Sequence, residues 1–161
     1  MPSYKGHLVG GAATFFVTYQ AATKVFGQQP FTTKQIVFAL TFCLLGSLFP
    51  DIDTKSLGQR VFYSLLTVAV FAAIALQHWA LLSFLSVLGL LPLLVNHRGM
   101  IHTVWFVTMF PLAVTLFITR FNPTLSSMAW PAYSYFVVGA LSHLFLDYGV
   151  WRTVKTITGR R

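Results

Sequence analysis

Apolar residues fall in six blocks along the chain, at roughly 6–26, 33–49, 61–77, 79–95, 101–119 and 129–148, each bounded by charged or turn-forming residues. The pattern predicts six helices, most of them near the lower limit of about 17 residues for crossing a bilayer core. The first block is the weakest, because Gly10, Gly11, Thr14, Thr18 and Gln20 dilute it. Lys5 before it and Ala21-Ala22 near its end resemble a signal peptide, but the apolar run is too broken, and the block is read as a retained helix. Blocks three and four could in principle be one helix. A helix over 61–95 would be about 50 Å long at 1.5 Å per residue, against a core of about 30 Å. The polar pair Gln77-His78 is the only plausible interior break, and it predicts a tight hairpin between two helices. Pro92, Pro111 and Pro131 fall within or at the start of predicted helices, where a membrane tolerates kinks.

Composition supports the same reading. The 161 residues suffice for a single domain, and 56% are hydrophobic while 9% are charged. A soluble domain this apolar would lack the polar surface to cover itself. The expected class is therefore all-α: a polytopic transmembrane helical bundle of about six spans occupying residues 1–161. The single cysteine, Cys43, lies inside an apolar block and is expected to pack as a small apolar side chain.

Charge sets the orientation. The chain carries a net +8, but no basic stripe follows an amphipathic helix, so no nucleic-acid partner is expected. With six spans, Lys5, Lys55, Arg60, Arg98, Arg152, Lys155, Arg160 and Arg161 fall on one side and Lys24, Lys34 and Arg120 on the other. A single span over 61–95 would give a weaker asymmetry. The positive-inside rule then places both termini in the cytoplasm, with membrane lipids as the surrounding partner.

On that topology the ionisable residues converge. The only acidic side chains are three Asp, and there is no Glu. His7 opens the first helix. Asp51 and Asp53 follow the second in Gly46-Ser-Leu-Phe-Pro-Asp-Ile-Asp53, and Asn96-His-Arg-Gly-Met-Ile-His-Thr103 brings His97, Arg98 and His102 to the start of the fifth. His143 and Asp147 end the sixth. All lie on the cytoplasmic side. His143 and Asp147, four residues apart, share one helix face and can bind one metal together. Gly10 and Gly11, a turn after His7, allow another helix to pack closely.

Three carboxylates crowded at a membrane surface repel one another and desolvate badly unless cations compensate. Imidazole with carboxylate suits Zn²⁺ first, then Mn²⁺ or Fe²⁺, and the predicted ligands His7, Asp51, Asp53, His97, His102, His143 and Asp147 suffice for one or two ions. Simpler readings exist for the parts. Asp51 and Asp53 alone could cap the third helix or pair with Lys55 and Arg60. His78, alone at the opposite end, is assigned no role. The set as a whole favours a metal site, because every acidic residue has a histidine-bearing cluster on its own face.

At these residues the chain resembles the YdjM-like family of bacterial inner-membrane proteins. The matching motifs are His7 with its glycines, Pro50-Asp-Ile-Asp53, His97-Arg-Gly-Met-Ile-His102 and His143-Leu-Phe-Leu-Asp147. The resemblance implies a LexA-regulated, membrane-bound, metal-dependent hydrolase. It also implies distant similarity to zinc-dependent phospholipase C and P1-type nucleases, whose His-x-x-x-Asp pair His143 and Asp147 match. Their His-x-x-x-Glu pair has no counterpart here, which argues for one or two ions rather than three.

The expected function is therefore hydrolysis of a phosphate ester in a lipid or other amphiphilic substrate at the cytoplasmic face of the inner membrane. Arg98 would hold the phosphate and Asp53 would serve as general base. A metal-ion carrier and a non-catalytic membrane scaffold are the alternatives. The first is disfavoured because the clusters crowd one face and no acidic residue lies near the other.

Overall fold

A computed structural model of the chain describes residues 4–25, 27, 31–94 and 100–158, with the side chains of 91, 93, 94 and 150–158 excluded. The described residues form six α-helices: α1 (Tyr4–Val25), α2 (Thr33–Leu48), α3 (Leu57–Ala75), α4 (Trp79–Leu94), α5 (Val104–Phe121) and α6 (Ser126–Thr158). Short 3-10 turns occupy Phe49–Asp53, Met100–His102 and Pro123–Leu125. Three segments are long and apolar enough to cross a membrane: Thr33–Asp53, Leu57–Ala75 and Val104–Phe121. The apolar part of α4, Trp79–Leu90, is shorter. Polar and ionisable residues dilute α1 and α6, and these are the two helices that carry His7, His143 and Asp147.

Local chemistry sets the helix boundaries. Thr32 and Gln35 form a capping box at the start of α2, in which the Gln35 carboxamide accepts from Thr32 N–H at 2.9 Å. The hydroxyls of Ser56 and Thr103 accept from the N–H groups of Gln59 and Phe106, each at 3.2 Å, and so start α3 and α5. The break between α3 and α4 falls at Gln77-His78. Gln77 takes a positive φ of 55°, and the His78 N–H reaches back to the Ala73 carbonyl at 2.9 Å, closing α3 with a Schellman turn. At the other end of the chain Gly149, with φ 67° and ψ 168°, breaks α6 one residue beyond the predicted end of block six.

The centre of the molecule is the pair α2 and α6, with α1 laid across it. Two glycines set the distance. A Cβ at Gly46 would overlap the backbone of Phe136, and one at Gly139 would overlap the carbonyl of Cys43, so the two helix backbones touch. Gly11 does the same for α1, where a Cβ would come within 2.8 Å of the Ser47 side chain. Cys43 donates its thiol hydrogen to the Gly11 carbonyl at 3.3 Å and is fully buried, as its apolar setting predicts. One core cluster, with Phe15, Ala39, Cys43 and Tyr135, lies along this three-helix seam. A second, with Phe49, Ile52, Ile101, Phe106, Val107, Ala140 and Leu144, joins α5 and the 3-10 turns Phe49–Asp53 and Met100–His102 to α6. The outer face of α3 stays bare, with Val68 and Phe71 each 68% exposed, as befits a surface turned to lipid.

Gly139→Ala drives a methyl group into the Cys43 carbonyl. Overpacking of this kind costs about 1–3 kcal/mol, which exceeds the roughly 1 kcal/mol of helix propensity that alanine adds. Gly89→Ala is the control, since its methyl meets only the flexible end of Leu66. Thermal unfolding in detergent should fall by several degrees for Gly139→Ala and hold or rise for Gly89→Ala. Equal stability of the two variants would contradict the close α2–α6 contact.

Candidate metal centre

The glycine-lined contacts bring three distant parts of the chain to one end of the bundle. Because Gly11 lets α1 settle on Ser47, His7 reaches the end of α6. Its ring stacks on that of His143 with centroids 3.8 Å apart and planes 13° from parallel. His7 Nε2 lies 3.5 Å from Asp147 Oδ1. His143 and Asp147, one helical turn apart, bring Nε2 and Oδ2 within 3.4 Å, as their spacing predicts.

Asp51 approaches from the 3-10 turn that follows α2. Pro50 sits in that turn, and the Asp51 carbonyl accepts from Thr54 N–H (3.2 Å), Thr54 Oγ1 (2.9 Å) and Ser56 Oγ (2.7 Å). These bonds hold the backbone while the carboxylate turns inward. Its Oδ1 is 3.7 Å from both His102 Nε2 and His143 Nε2. The cap of α3 is Ser56, and the ion-pair partners of Asp51 are His102 and His143 rather than Lys55 or Arg60. His102 comes from the 3-10 turn just ahead of α5, next to the buried Ile101.

His143 is the hub. Its Nδ1 is 2.7 Å from the Ser47 carbonyl, which can only accept, so Nδ1 carries the hydrogen and the Nε2 lone pair faces the carboxylates. The side chain is fully buried, with His7 at 2% and His102 at 3% exposure. Two groups of ligand atoms result: His7, His143 and Asp147, and Asp51, His102 and His143. They share one imidazole nitrogen. A single Nε2 lone pair serves one ion, so the two groups are halves of one site around His143 or alternatives to each other.

Several buried polar atoms of this cluster face one another without hydrogen bonds. Among the described residues, His7 Nδ1, both ring nitrogens of His102, His143 Nε2 and Asp147 Oδ1 are buried with no hydrogen-bond partner. Each such group costs about 1–3 kcal/mol if left unsatisfied. The histidine–carboxylate separations of 3.4–3.7 Å are longer than charge-assisted hydrogen bonds, which lie near 2.7–2.9 Å. They resemble the spacing of ligands around a shared ion: two atoms each about 2.0–2.1 Å from a tetrahedral zinc are about 3.3–3.4 Å apart. The residues present therefore fit a divalent cation, with His7, His143 and Asp147 as one set of donors and Asp51, His102 and His143 as the other.

The structure thus brings together five of the seven predicted ligands. Asp53, at the last position of the 3-10 turn, belongs to neither group. His97 and Arg98 lie outside the described residues, and His78 is exposed on the α3–α4 hairpin. Sequence reasoning missed the Ser47 carbonyl, because a backbone acceptor leaves no mark in side-chain spacing. It also missed Ser56, although Ser56-x-x-Gln59 is a readable helix-start pattern.

Comparison with known proteins adds one match. The model of the family described as YdjM inner membrane protein matches residues 1–154. No curated protein and no solved structure matches the chain.

Cation binding should appear as linkage to stability. An ion at 100 times its dissociation constant stabilises by about 2.7 kcal/mol. Adding Zn²⁺ or Mn²⁺ to chelator-stripped protein should raise the unfolding temperature by several degrees, whereas His143→Ala and Asp147→Ala should show no such rise. Mg²⁺ or Zn²⁺ shifting wild type and both variants alike would point to surface binding instead.

Proposed function

The chain belongs to the YdjM inner membrane protein family, and from that premise we propose that it is a membrane-bound, metal-dependent hydrolase of phosphate esters. The observation that carries the proposal is the set of imidazoles and carboxylates around His143, in which the facing atoms His102 Nε2, His143 Nε2 and Asp147 Oδ1 are buried without hydrogen-bond partners. A structural polar cluster would be expected to satisfy its own donors and acceptors. Resemblance of His143-x-x-x-Asp147 to the pair in zinc-dependent phospholipase C and P1-type nucleases supports phosphoester chemistry over other hydrolyses.

The ligand roles follow from position. Asp51, His102, His143, His7 and Asp147 hold the ion, and the Ser47 carbonyl keeps the His143 ring oriented for it. When bound, a divalent cation supplies Lewis acidity, lowering the pKa of water and polarising a phosphoryl oxygen. Asp53, in the same turn as Asp51 but in neither ligand group, takes the proton of the attacking water as the phosphorus–oxygen bond to the leaving group breaks. Arg98 contributes a bidentate contact to the phosphate. Asp51, with its side chain 21% exposed against 3% for Asp147, marks the side from which substrate arrives.

The same reading includes six membrane crossings with both termini and the site in the cytoplasm. The distribution of Lys and Arg supports this orientation, and the tight hairpin at Gln77-His78 supports counting α3 and α4 as separate crossings.

Hydrolysis of phosphomonoesters and phosphodiesters by purified protein should be abolished by chelator and restored by Zn²⁺ or Mn²⁺. Asp147→Ala should lower kcat/KM at least 100-fold together with metal affinity. Asp53→Asn should lower kcat by about 10²–10⁴-fold at pH 7 while the bound-metal signal stays at the wild-type level. Activity that survives chelation and both substitutions would end the hydrolase reading.

A further inference from the structure

Below the turn that carries Asp51, the helices do not close on one another. An apolar cavity of about 420 Å³ lies among α2, α3, α4, α5 and α6. Phe38 and Phe42 line it from α2, Val114 and Ile118 from α5, and Ala129 and Ala132 from α6. The alanines leave the room, since the positions opposite them are large. Thr115 also borders the cavity, but its hydroxyl donates to the Pro111 carbonyl at 2.9 Å and has no hydrogen left for a guest. An engineered apolar cavity of about 150 Å³ stays free of water and takes up benzene. This one is nearly three times larger, a volume suited to one hydrocarbon chain rather than two.

Its position links it to the site. A smaller cavity of about 100 Å³ shares Phe49, Phe62 and Phe136 with the larger one and extends to Ile52. Phe49 and Ile52 belong to the same 3-10 turn as Asp51, so the apolar space begins at the turn that carries that carboxylate. From Phe49 to Phe38 it follows α2 for about 16 Å at 1.5 Å per residue. At the far end the lining includes Leu125, 42% exposed, and Met128, 60% exposed, so a longer chain can leave the cavity there. The lining residues of α2 and α5 lie inside segments long and apolar enough to cross a membrane, which puts the cavity where hydrocarbon is the solvent.

We propose that this cavity holds one hydrocarbon chain of the substrate while its phosphate ester lies at the His143 site. The substrate class is then a membrane lipid phosphate, and the protein selects it by its chain as well as by its headgroup. The inference rests on the phosphoester reading of the site. It adds a reason for that site to lie at the end of an apolar bundle. Phe49, Phe62 and Phe136 separate the two cavities, so a chain enters by displacing their rings, and Phe62 is the one of the three contributed by α3.

The test uses the full-length protein in detergent with a dodecylphosphonate bearing a photoactivatable diazirine near the chain end. Crosslinks are mapped by mass spectrometry. Labelling should fall on α2, α5 and α6 residues that line the cavity, and unlabelled dodecylphosphonate should compete at least tenfold better than either methylphosphonate or dodecanol. Ala132→Phe and Val114→Phe, which fill the cavity from different helices, should each cut cavity labelling at least tenfold; two positions guard against one variant misfolding. Labelling confined to the bare face of α3 at Val68 and Phe71, or insensitive to both fillings, overturns the proposal. Equal competition by dodecanol also overturns it, since that identifies ordinary bilayer hydrocarbon. Hydrolysis of the chainless ester p-nitrophenyl phosphate, measured beside it, isolates the underlying reading. Metal-dependent hydrolysis with an unlabelled cavity removes only the chain-binding proposal. No hydrolysis of any ester, with the cavity labelled and competed as expected, removes only the hydrolase reading.

Discussion

The hydrogen bond from His143 Nδ1 to the Ser47 carbonyl is the joint on which the site depends. Ser47 lies in the last turn of α2, where helical carbonyls run out of backbone partners. His143 supplies the missing donor from α6. That is possible only because Gly46 and Gly139 let the two backbones touch. The bond fixes the tautomer, and with it the direction of the remaining lone pair. A helix-packing contact thereby becomes an orientation device for a ligand, a role that histidine Nδ1 often plays opposite a backbone carbonyl.

Around that joint lies most of the buried polarity among the described residues. His7, His102 and His143 are buried to within a few per cent, and Asp147 lies between two of them. Elsewhere the described interior is mainly aromatic and aliphatic, with Phe49 stacked on Phe106 and Phe110 and edge-on to Phe136. An apolar floor under a polar cluster lowers the local dielectric and strengthens every charge interaction within it. The three-helix seam of α1, α2 and α6 supplies the rigid support, and α5 closes the cluster through His102.

Much of this was legible in the sequence because local chemistry decides it. The Gln77-His78 break is visible as the only adjacent pair of polar residues in a 35-residue apolar stretch, counted from 61 to 95. The four-residue spacing of His143 and Asp147 settles their shared face, and Gly10-Gly11 announces a close helix contact. Other features depend on partners far away in the chain. That His143 serves both ligand groups follows from Ser47 occupying its other nitrogen, a relation across 96 residues. The division between Asp51, which turns inward, and Asp53, which joins neither ligand group, depends on how Thr54 and Ser56 hold the Asp51 carbonyl. Helix ends also drifted for a physical reason: Ser56 starts α3 at Leu57, four residues ahead of the apolar block, through the polar turn Gly58-Gln59-Arg60.

The central claim is that a cation completes the cluster around His143. X-ray absorption at the metal edge of protein purified from membranes tests it most directly. The account predicts bound zinc, manganese or iron with a first shell of nitrogen and oxygen at about 2.0–2.2 Å and outer-shell scattering from imidazole rings. It predicts no sulfur, because Cys43 is buried with its thiol on the Gly11 carbonyl. Protein free of metal after gentle purification, or a first shell containing sulfur near 2.3 Å, would contradict it.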